Sequence, residues 1–348
     1  MTKQVKHLYI HIPFCKTICD YCDFVRELYT DEKAKIYLAH IRKRLSKYIA
    51  KQFATIYIGG GTPNCLNTEQ LSLLLAHICK YLKNNGEFTV ECNPEWVTSE
   101  QLKLFKKYKV NRISLGAQST NNALLAKMNR STNITTIRNV VKQLQKAKIN
   151  NINVDFMYGF NGLTIKDISH AINFIKEYHI PHVAWYALEL KENSKLTKTK
   201  YQLSDELIQS QHEFIVKQMH AIHYQRYEVS SWCINKAFQS QHNLAYWNSK
   251  DWVGIGKGAY GLEKMNYYYF FDKNNKLVKV NKHYSLRQYY QHILLMGLRK
   301  INGIDLSIPI NKQAYLFFKN KLKYVSIKNN HLLCNNIDLL DNTLIEII

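Results

Sequence analysis

The sequence predicts an α/β fold built on parallel strands, and three observations carry that expectation. Six short runs rich in Val, Ile, Tyr and Phe alternate with stretches of helical periodicity. The glycine-rich and polar motifs recur at one place, the C-terminal ends of those runs. The chain has 348 residues, enough for one large domain plus a smaller one and for a full core. Strands joined in series by helical crossovers run parallel, so an open or closed barrel and a doubly wound sheet both fit.

The runs are residues 8–12 (LYIHI), 55–60 (TIYIGG), 88–92 (FTVEC), 112–117 (RISLGA), 152–159 (INVDFMYG) and 182–188 (HVAWYAL). Between them, residues 33–51 set basic side chains on the polar side of an apolar stripe. Residues 68–82 form a helix with Asn67 as its N-cap, and residues 98–108 open with Thr-x-x-Gln, the pattern of a capping box. Residues 164–178 repeat apolar positions at helical spacing. Beyond about residue 200 the alternation stops. Residues 204–224 read as a helix, 226–233 as strand-like and 242–247 (HNLAYW) as a polar-aromatic loop. Residues 252–261 are punctuated by glycine, 286–300 are helical, and a β-plus-helix tail follows. The expected division is therefore 1–230 and 231–348. There is no low-complexity linker, so the two parts are expected to pack closely.

The motif positions point to a site. Cysteines follow the first run, Gly59-Gly60-Gly61-Thr62-Pro63 ends the second, Glu91 the third, Gln118 the fourth and Asp155 the fifth. In parallel barrels that face carries the active site, whereas structural need alone would spread polar residues over both ends.

Composition narrows the class. Hydrophobic residues make up 46%, as in a globular protein. The N-terminus lacks the apolar core of a signal peptide, and no apolar run approaches the roughly 18 residues of a membrane span. The expected compartment is the cytoplasm, where thiols stay reduced. The 48 Lys and Arg outnumber 26 Asp and Glu, a formal charge of +22. An anionic partner and plain compositional bias toward Lys, Asn, Ile and Tyr both account for it, and the scatter of the charges through helices favours the second.

Cys15-x3-Cys19-x2-Cys22 offers three thiolates from one loop. Zinc takes four ligands, usually from two separated pairs. No second pair exists: Cys65, Cys79, Cys92, Cys233 and Cys334 are isolated, and only His11 could complete a Cys3His set. An iron–sulfur cluster is the other thiolate-rich choice, and spacing favours it.

With Tyr21 as the aromatic before the third cysteine, the triplet resembles the signature of radical S-adenosylmethionine (SAM) proteins. The stretches YIHIPFCKTICDYCDF, YIGGGTPN, ECNPE, RISLGAQS, NVDFMYG, YEVSSW, HNLAYW, GIGKGAYG and LLMGLR stand in the order of the oxygen-independent coproporphyrinogen III oxidase group, from about residue 8 to the C-terminus. The resemblance implies a partial parallel (β/α)6 barrel followed by a smaller α+β domain. It implies a 4Fe-4S cluster on Cys15, Cys19 and Cys22 whose open iron binds SAM. Oxidases of the group carry a fourth cysteine two residues after the third, where this chain has Phe24. The HemW-type haem chaperone branch has the Cys-Asp-Phe ending and a His-Asn-x-x-Tyr-Trp motif, matched here by His242-Asn243-Leu244-Ala245-Tyr246-Trp247.

That branch implies haem binding, delivery to a recipient haem protein and an electron donor to the cluster, and leaves open a homodimer and peripheral membrane association. By the same resemblance Tyr9, Tyr21, Gly60, Gly61, Thr62, Glu91, Gln118, Arg130 and Asp155 contact SAM, and His242 ligates haem iron. Glycines let a ligand approach the backbone, a carboxylate accepts from ribose hydroxyls, and a guanidinium clamps a carboxylate at two points. Porphyrinogen decarboxylation and RNA modification are the alternatives. Phe24 argues against the first, and the lack of an aromatic-rich RNA motif makes nucleic acid an unexpected partner. Four positions depart from the family pattern: Thr132 where His is frequent, Asn161 in place of proline in Gly-x-Pro-Gly, Lys191 at an acidic position, and Tyr260 in place of histidine in Gly-Ala-His-Gly.

Overall fold

The computed structural model describes residues 5–48, 52–199, 201–273 and 276–348. Six strands stand where the runs place them: β1 (His7–Ile12), β2 (Phe53–Gly60), β3 (Leu82–Cys92), β4 (Arg112–Gln118), β5 (Asn151–Tyr158) and β6 (His182–Ala187). Each neighbouring pair is parallel. The crossovers are α1 (Asp31–Leu45), α2 (Thr68–Ile78), α3 (Ser99–Lys107), α4 (Asn122–Lys127), α5 (Ile134–Lys146) and α6 (Ile165–Glu177). The end of the helix expected over 33–51 (residues 49–51) and the first four residues of the N-terminal segment lie outside the described residues.

Caps set the helix starts. The side chains of Asn67 and Thr98 accept from the N–H of Gln70 and Gln101, and Thr164 forms a reciprocal box with Asp167. The box expected at Thr98 is half made. Gln101 Nε2 turns away to the Asn64 carbonyl at 2.9 Å and ties α3 to the loop after β2.

Strand periodicity sorts the side chains. Leu8, Ile10, Ile12, Ile56, Ile58, Phe88, Val90, Ile113, Leu115, Ile152 and Val154 are buried in one cluster with Ile41, Leu71, Leu75, Phe105, Val141 and Ile172 of the helices. Each such side chain contributes about 1.5–3 kcal/mol. The alternate positions are polar: Tyr9 and His11, Thr55 and Tyr57, Thr89 and Glu91, Ser114, Asn153 and Asp155. The barrel is therefore apolar outside, beneath its helices, and polar inside.

Among the described residues the helices α7 (Lys195–Lys198), α8 (Asp205–Ala221), α9 (Gln241–Trp247) and α10 (Leu286–Gly297) follow, with Pro309–Phe318 and Leu340–Leu344 helical beyond them. The added strands are β7 (Ser231–Cys233), antiparallel to β6, and β8 (Trp252–Ile255), which returns to lie parallel to β1. Then β9 (Tyr260–Glu263), β10 (Asn266–Lys273) and β11 (Lys276–His283) continue antiparallel. With Gln225–Arg226 they make a twelve-stranded sheet of linear order, so the barrel is open. This sheet runs through the expected division at 230/231. A second apolar cluster, from Tyr290 to Ile347, lies wholly beyond it.

The stretch HNLAYW, expected as a loop, is helix α9. Ser240 caps it, and the Glu87 carboxylate accepts from the N–H groups of Gln241 and His242 at 3.0 and 2.9 Å. Local composition cannot show a cap supplied from a distant strand. No helix among the described residues is long and apolar enough to cross a membrane.

Candidate functional site

Cys15 ends a two-residue strand, Phe14–Cys15, that pairs in parallel with Glu27–Leu28. The loop between them carries Cys19 and Cys22, both half-buried, and all three thiols are free. Two donors point at sulfur: Thr62 Oγ1 at 3.4 Å from Cys15 Sγ, and Arg130 Nη1 at 3.7 Å from Cys19 Sγ. Asn93 joins those donors. Its Nδ2 donates to Thr62 Oγ1 at 3.2 Å, and its Oδ1 accepts from Arg130 Nη1 at 3.1 Å. One hydrogen-bonded relay thus connects two of the cysteines. Arg130 also donates to the Gly116 carbonyl at 2.6 Å, lies 3.7 Å from Glu95, and buries its Nε without a partner. Burial raises the Cys15 thiol and pushes Cys22 up to about 11, while Arg26 opposes both shifts and Arg130 opposes that of Cys15.

The Cys3His alternative has no free fourth ligand. His11 Nδ1 is 3.0 Å from the Tyr9 hydroxyl, and Nε2 is 2.8 Å from the Val25 carbonyl. Cys65 donates to the Phe14 carbonyl at 3.3 Å.

The glycine segment serves the fold first. A Cβ on Gly60, whose φ is +117°, would sit 2.7 Å from the His11 ring, and one on Gly61 would sit 2.7 Å from the Phe14 carbonyl. The Gly60 N–H donates to Glu91 Oε2 at 2.9 Å, and Tyr57 donates to Oε1 at 2.7 Å. Desolvation inside the barrel still raises Glu91 to about 7. Gln118 turns the chain at the end of β4 with a left-handed φ of +65°. Asp155 is not at its strand's end, as expected, but three residues inside β5. Ser114 and Asn153 donate to it at 3.0 and 2.8 Å, and burial raises it to about 6. Tyr21 packs against the barrel core, its phenol held well above the ordinary range by burial. Glu91, Arg130, Gln118 and Asp155 thus gather at one end of the barrel beside the cysteine loop.

His242 lies elsewhere, in α9 beneath the opposite end of β2. It is 1% exposed. Its Nδ1 meets Thr55 Oγ1 at 2.7 Å and its Nε2 meets the Tyr246 hydroxyl at 2.8 Å. The ring stacks on Tyr57 at 5.1 Å, and burial lowers it to about 3. In this conformation both ring nitrogens are hydrogen-bonded. A small polar cavity of about 20 Å³, room for a water or two, lies inside the barrel near this end; Tyr57, Arg112, Ser114, Asn153, His182 and Asn243 are among its walls.

Sequence reasoning did not single out Asn93, Tyr57, Ser114 and Asn153. The signal was present in the strict alternation of polar with apolar residues along each strand, and for Asn93 in the ECNPE stretch.

Residues 9–175 match the Radical SAM superfamily. The chain is 32% identical over 336 residues to the heme chaperone HemW of Lactococcus lactis subsp. lactis (strain IL1403), an alignment covering 92% of this chain and 88% of that protein. This chain belongs to the HemW family. The HemW of Bacillus subtilis (strain 168) is 33% identical over 269 residues, covering 74% of this chain and 71% of that protein. The HemW of Escherichia coli (strain K12) is 27% identical over 328 residues, covering 91% and 82%. Among solved structures, coproporphyrinogen III oxidase (HemN) from Escherichia coli, a radical SAM enzyme, superposes with a TM-score of 0.82 at 17% identity, over 99% of this chain and 90% of that one. That likeness shows the fold.

Membership of the radical SAM superfamily implies SAM and a 4Fe-4S cluster. The donor set of this HemW-family chain fits such a cluster: three free thiols on one loop, two protein donors directed at their sulfurs, and a buried guanidinium nitrogen without a partner.

Proposed function

We propose that this chain is a haem carrier that holds a 4Fe-4S cluster on Cys15, Cys19 and Cys22, binds SAM beside it, and delivers haem to a recipient haem protein in the cytoplasm. The observation that carries the reading is the relay Thr62–Asn93–Arg130 between two cysteine sulfurs, in a HemW-family chain with Phe24 at the oxidases' fourth cysteine. Bound, a cluster reduced by an electron donor supplies one-electron chemistry to SAM.

The protein's own part is positional. Arg130 holds positive charge next to Cys19 and offers its unpaired Nε toward an anion. Gly60, Gly61 and Thr62 shape the edge beside Cys15. Glu91, Gln118 and Asp155 offer acceptors and an amide for the polar parts of SAM, with Tyr9 and Tyr21 as aromatic walls. Burial holds Glu91 and Asp155 near neutral pH, so either can carry or lose a proton there. For haem, His242 becomes a ligand only if Tyr246 leaves its Nε2.

Anaerobic reconstitution with iron and sulfide, then haem titration with and without SAM and transfer to an apo-haem protein, tests this reading. A brown protein that takes up haem and passes it on is expected. A protein that binds no haem and decarboxylates coproporphyrinogen III would replace the carrier reading with that of an oxidase.

A further inference from the structure

The segment that leaves the cysteine loop carries a cation whose hydrogen-bond partners are carbonyls. Arg26 stands four residues after Cys22. Its Nη1 donates to the Phe24 carbonyl at 2.9 Å and its Nη2 to the Asn193 carbonyl at 3.3 Å. Its Nε is buried with no hydrogen-bond partner. The backbone on both sides is fixed. His11 Nε2 donates to the Val25 carbonyl at 2.8 Å. The Glu27 N–H donates to the Pro13 carbonyl at 2.8 Å, and Glu27–Leu28 pairs with Phe14–Cys15. The guanidinium is therefore held at the cysteine loop by its own hydrogen bonds and by its chain neighbours.

Two carboxylates of this segment are taken by other cations. Lys195 lies 3.2 Å from Asp20, and Lys257 lies 3.5 Å from Glu27. Arg130, the other guanidinium at this end, has Glu95 at 3.7 Å. Among the described residues no carboxylate forms an ion pair with Arg26, Asp23 of the same loop included. The acidic groups on which its charge acts are thiols. Burial raises Cys15 and Cys22, and Arg26 opposes both rises. A fixed cation without a counter-ion favours negative charge brought beside it. Ligation to iron supplies that charge, because the thiols lose their protons to solvent and remain as thiolates.

We propose that Arg26 is the charge-compensating residue of the cluster: its guanidinium, anchored on Phe24 and Asn193, offsets the thiolate charge and favours the reduced state. The proposal rests on the reading that Cys15, Cys19 and Cys22 hold a 4Fe-4S cluster. Reduction brings in one electron from the donor and no proton, so the loop becomes one unit more negative. A fixed cation attracts the reduced state more strongly than the oxidised one and raises the reduction potential. Sequence reasoning passed over Arg26, whose second anchor lies 167 residues away.

The test is a redox titration of the full chain reconstituted with iron and sulfide, without SAM, read by electron paramagnetic resonance of the reduced cluster. Arg26→Gln should lower the midpoint potential by about 59 mV, a tenfold change in the one-electron equilibrium, at unchanged iron and sulfide content. Arg26→Lys keeps the charge and should stay near the wild-type potential. Lys319→Gln, on the exposed C-terminal surface, removes the same formal charge and should leave the potential where it is. A wild-type potential in Arg26→Gln would overturn the proposal, as would an equal shift in Lys319→Gln. If Arg26→Gln takes up no cluster, Arg26→Lys decides. A cluster at the wild-type potential there supports the charge role, and any other result means that Arg26 only anchors the loop and overturns it. Wild-type protein that takes up no iron and sulfide would instead overturn the cluster reading itself.

Discussion

The two ends of the barrel interior bury similar polar groups in opposite states. At the α9 end the hydrogen bonds close on themselves: Thr55 joins His7 to His242, Tyr246 takes the other nitrogen, and Glu87 caps the helix backbone. At the cysteine end the network is open. Arg130 keeps a buried Nε without a partner, and two donors are directed at sulfurs. A closed network adds rigidity and leaves nothing for a ligand to gain. An open one marks where a ligand completes the structure.

Complete loss is the largest effect expected, and it breaks the open end. Any one of Cys15→Ala, Cys19→Ala or Cys22→Ala should remove the brown chromophore and most bound iron. Alanine at Cys65, Cys79, Cys92, Cys233 or Cys334 should leave iron and sulfide content unchanged. Full iron in all three loop variants would dissolve the distinction between the two ends.

Breaking the closed end should cost stability and spare the cluster. His242→Ala leaves Thr55 and Tyr246 without their shared partner and opens a cavity, a loss of about 2–4 kcal/mol in denaturant unfolding. A midpoint unchanged from wild type would show that the α9 network is not structural.

Proton titration sharpens the comparison. Burial raises Glu91 from the ordinary carboxylate range to about 7. Because the folded value lies above the unfolded one, its contribution is present at low pH and is lost as pH rises through about 7. Relative to Glu91→Gln, the wild-type apoprotein should lose about 1–3 kcal/mol between pH 5 and pH 8. His242, lowered to about 3, has the opposite sign: its contribution is present above about 6.5 and is lost as pH falls. Unfolding midpoints across that range, in wild type and both variants, separate the two ends. A flat difference for Glu91→Gln would remove its carboxylate from the titrating set.

Smaller effects follow. Arg130→Ala should weaken SAM binding about tenfold in calorimetry while iron content holds, the loss of one charge-assisted contact. Smallest is Lys191→Ala. Its 2.5 Å pair with Glu189 is exposed on both sides, so stability should move by less than about 0.5 kcal/mol.

The strands and the motif face were legible because both follow from local patterns: alternation of two, capping residues, and cysteine spacing. What was not legible depends on partners far along the chain. His242 looked like a loop ligand because its neighbours are polar and aromatic. Its true partner Thr55 is 187 residues away, and the Glu87 cap on its backbone is 155 residues away. The missing Cβ atoms of Gly60 and Gly61 make room for His11 and Phe14, neighbours that only the folded chain reveals.

The return of β8 to the side of β1 also bears on how the chain is made. β1 leaves the ribosome long before β8, and the edge it shares with β8 is covered by residues 252–255. At ordinary synthesis rates that wait lasts on the order of tens of seconds. Throughout it, the backbone of Leu8 to Ile10 offers an unpaired template to any neighbouring chain. The nascent protein is thus open to misassembly along that edge of β1 until β8 arrives.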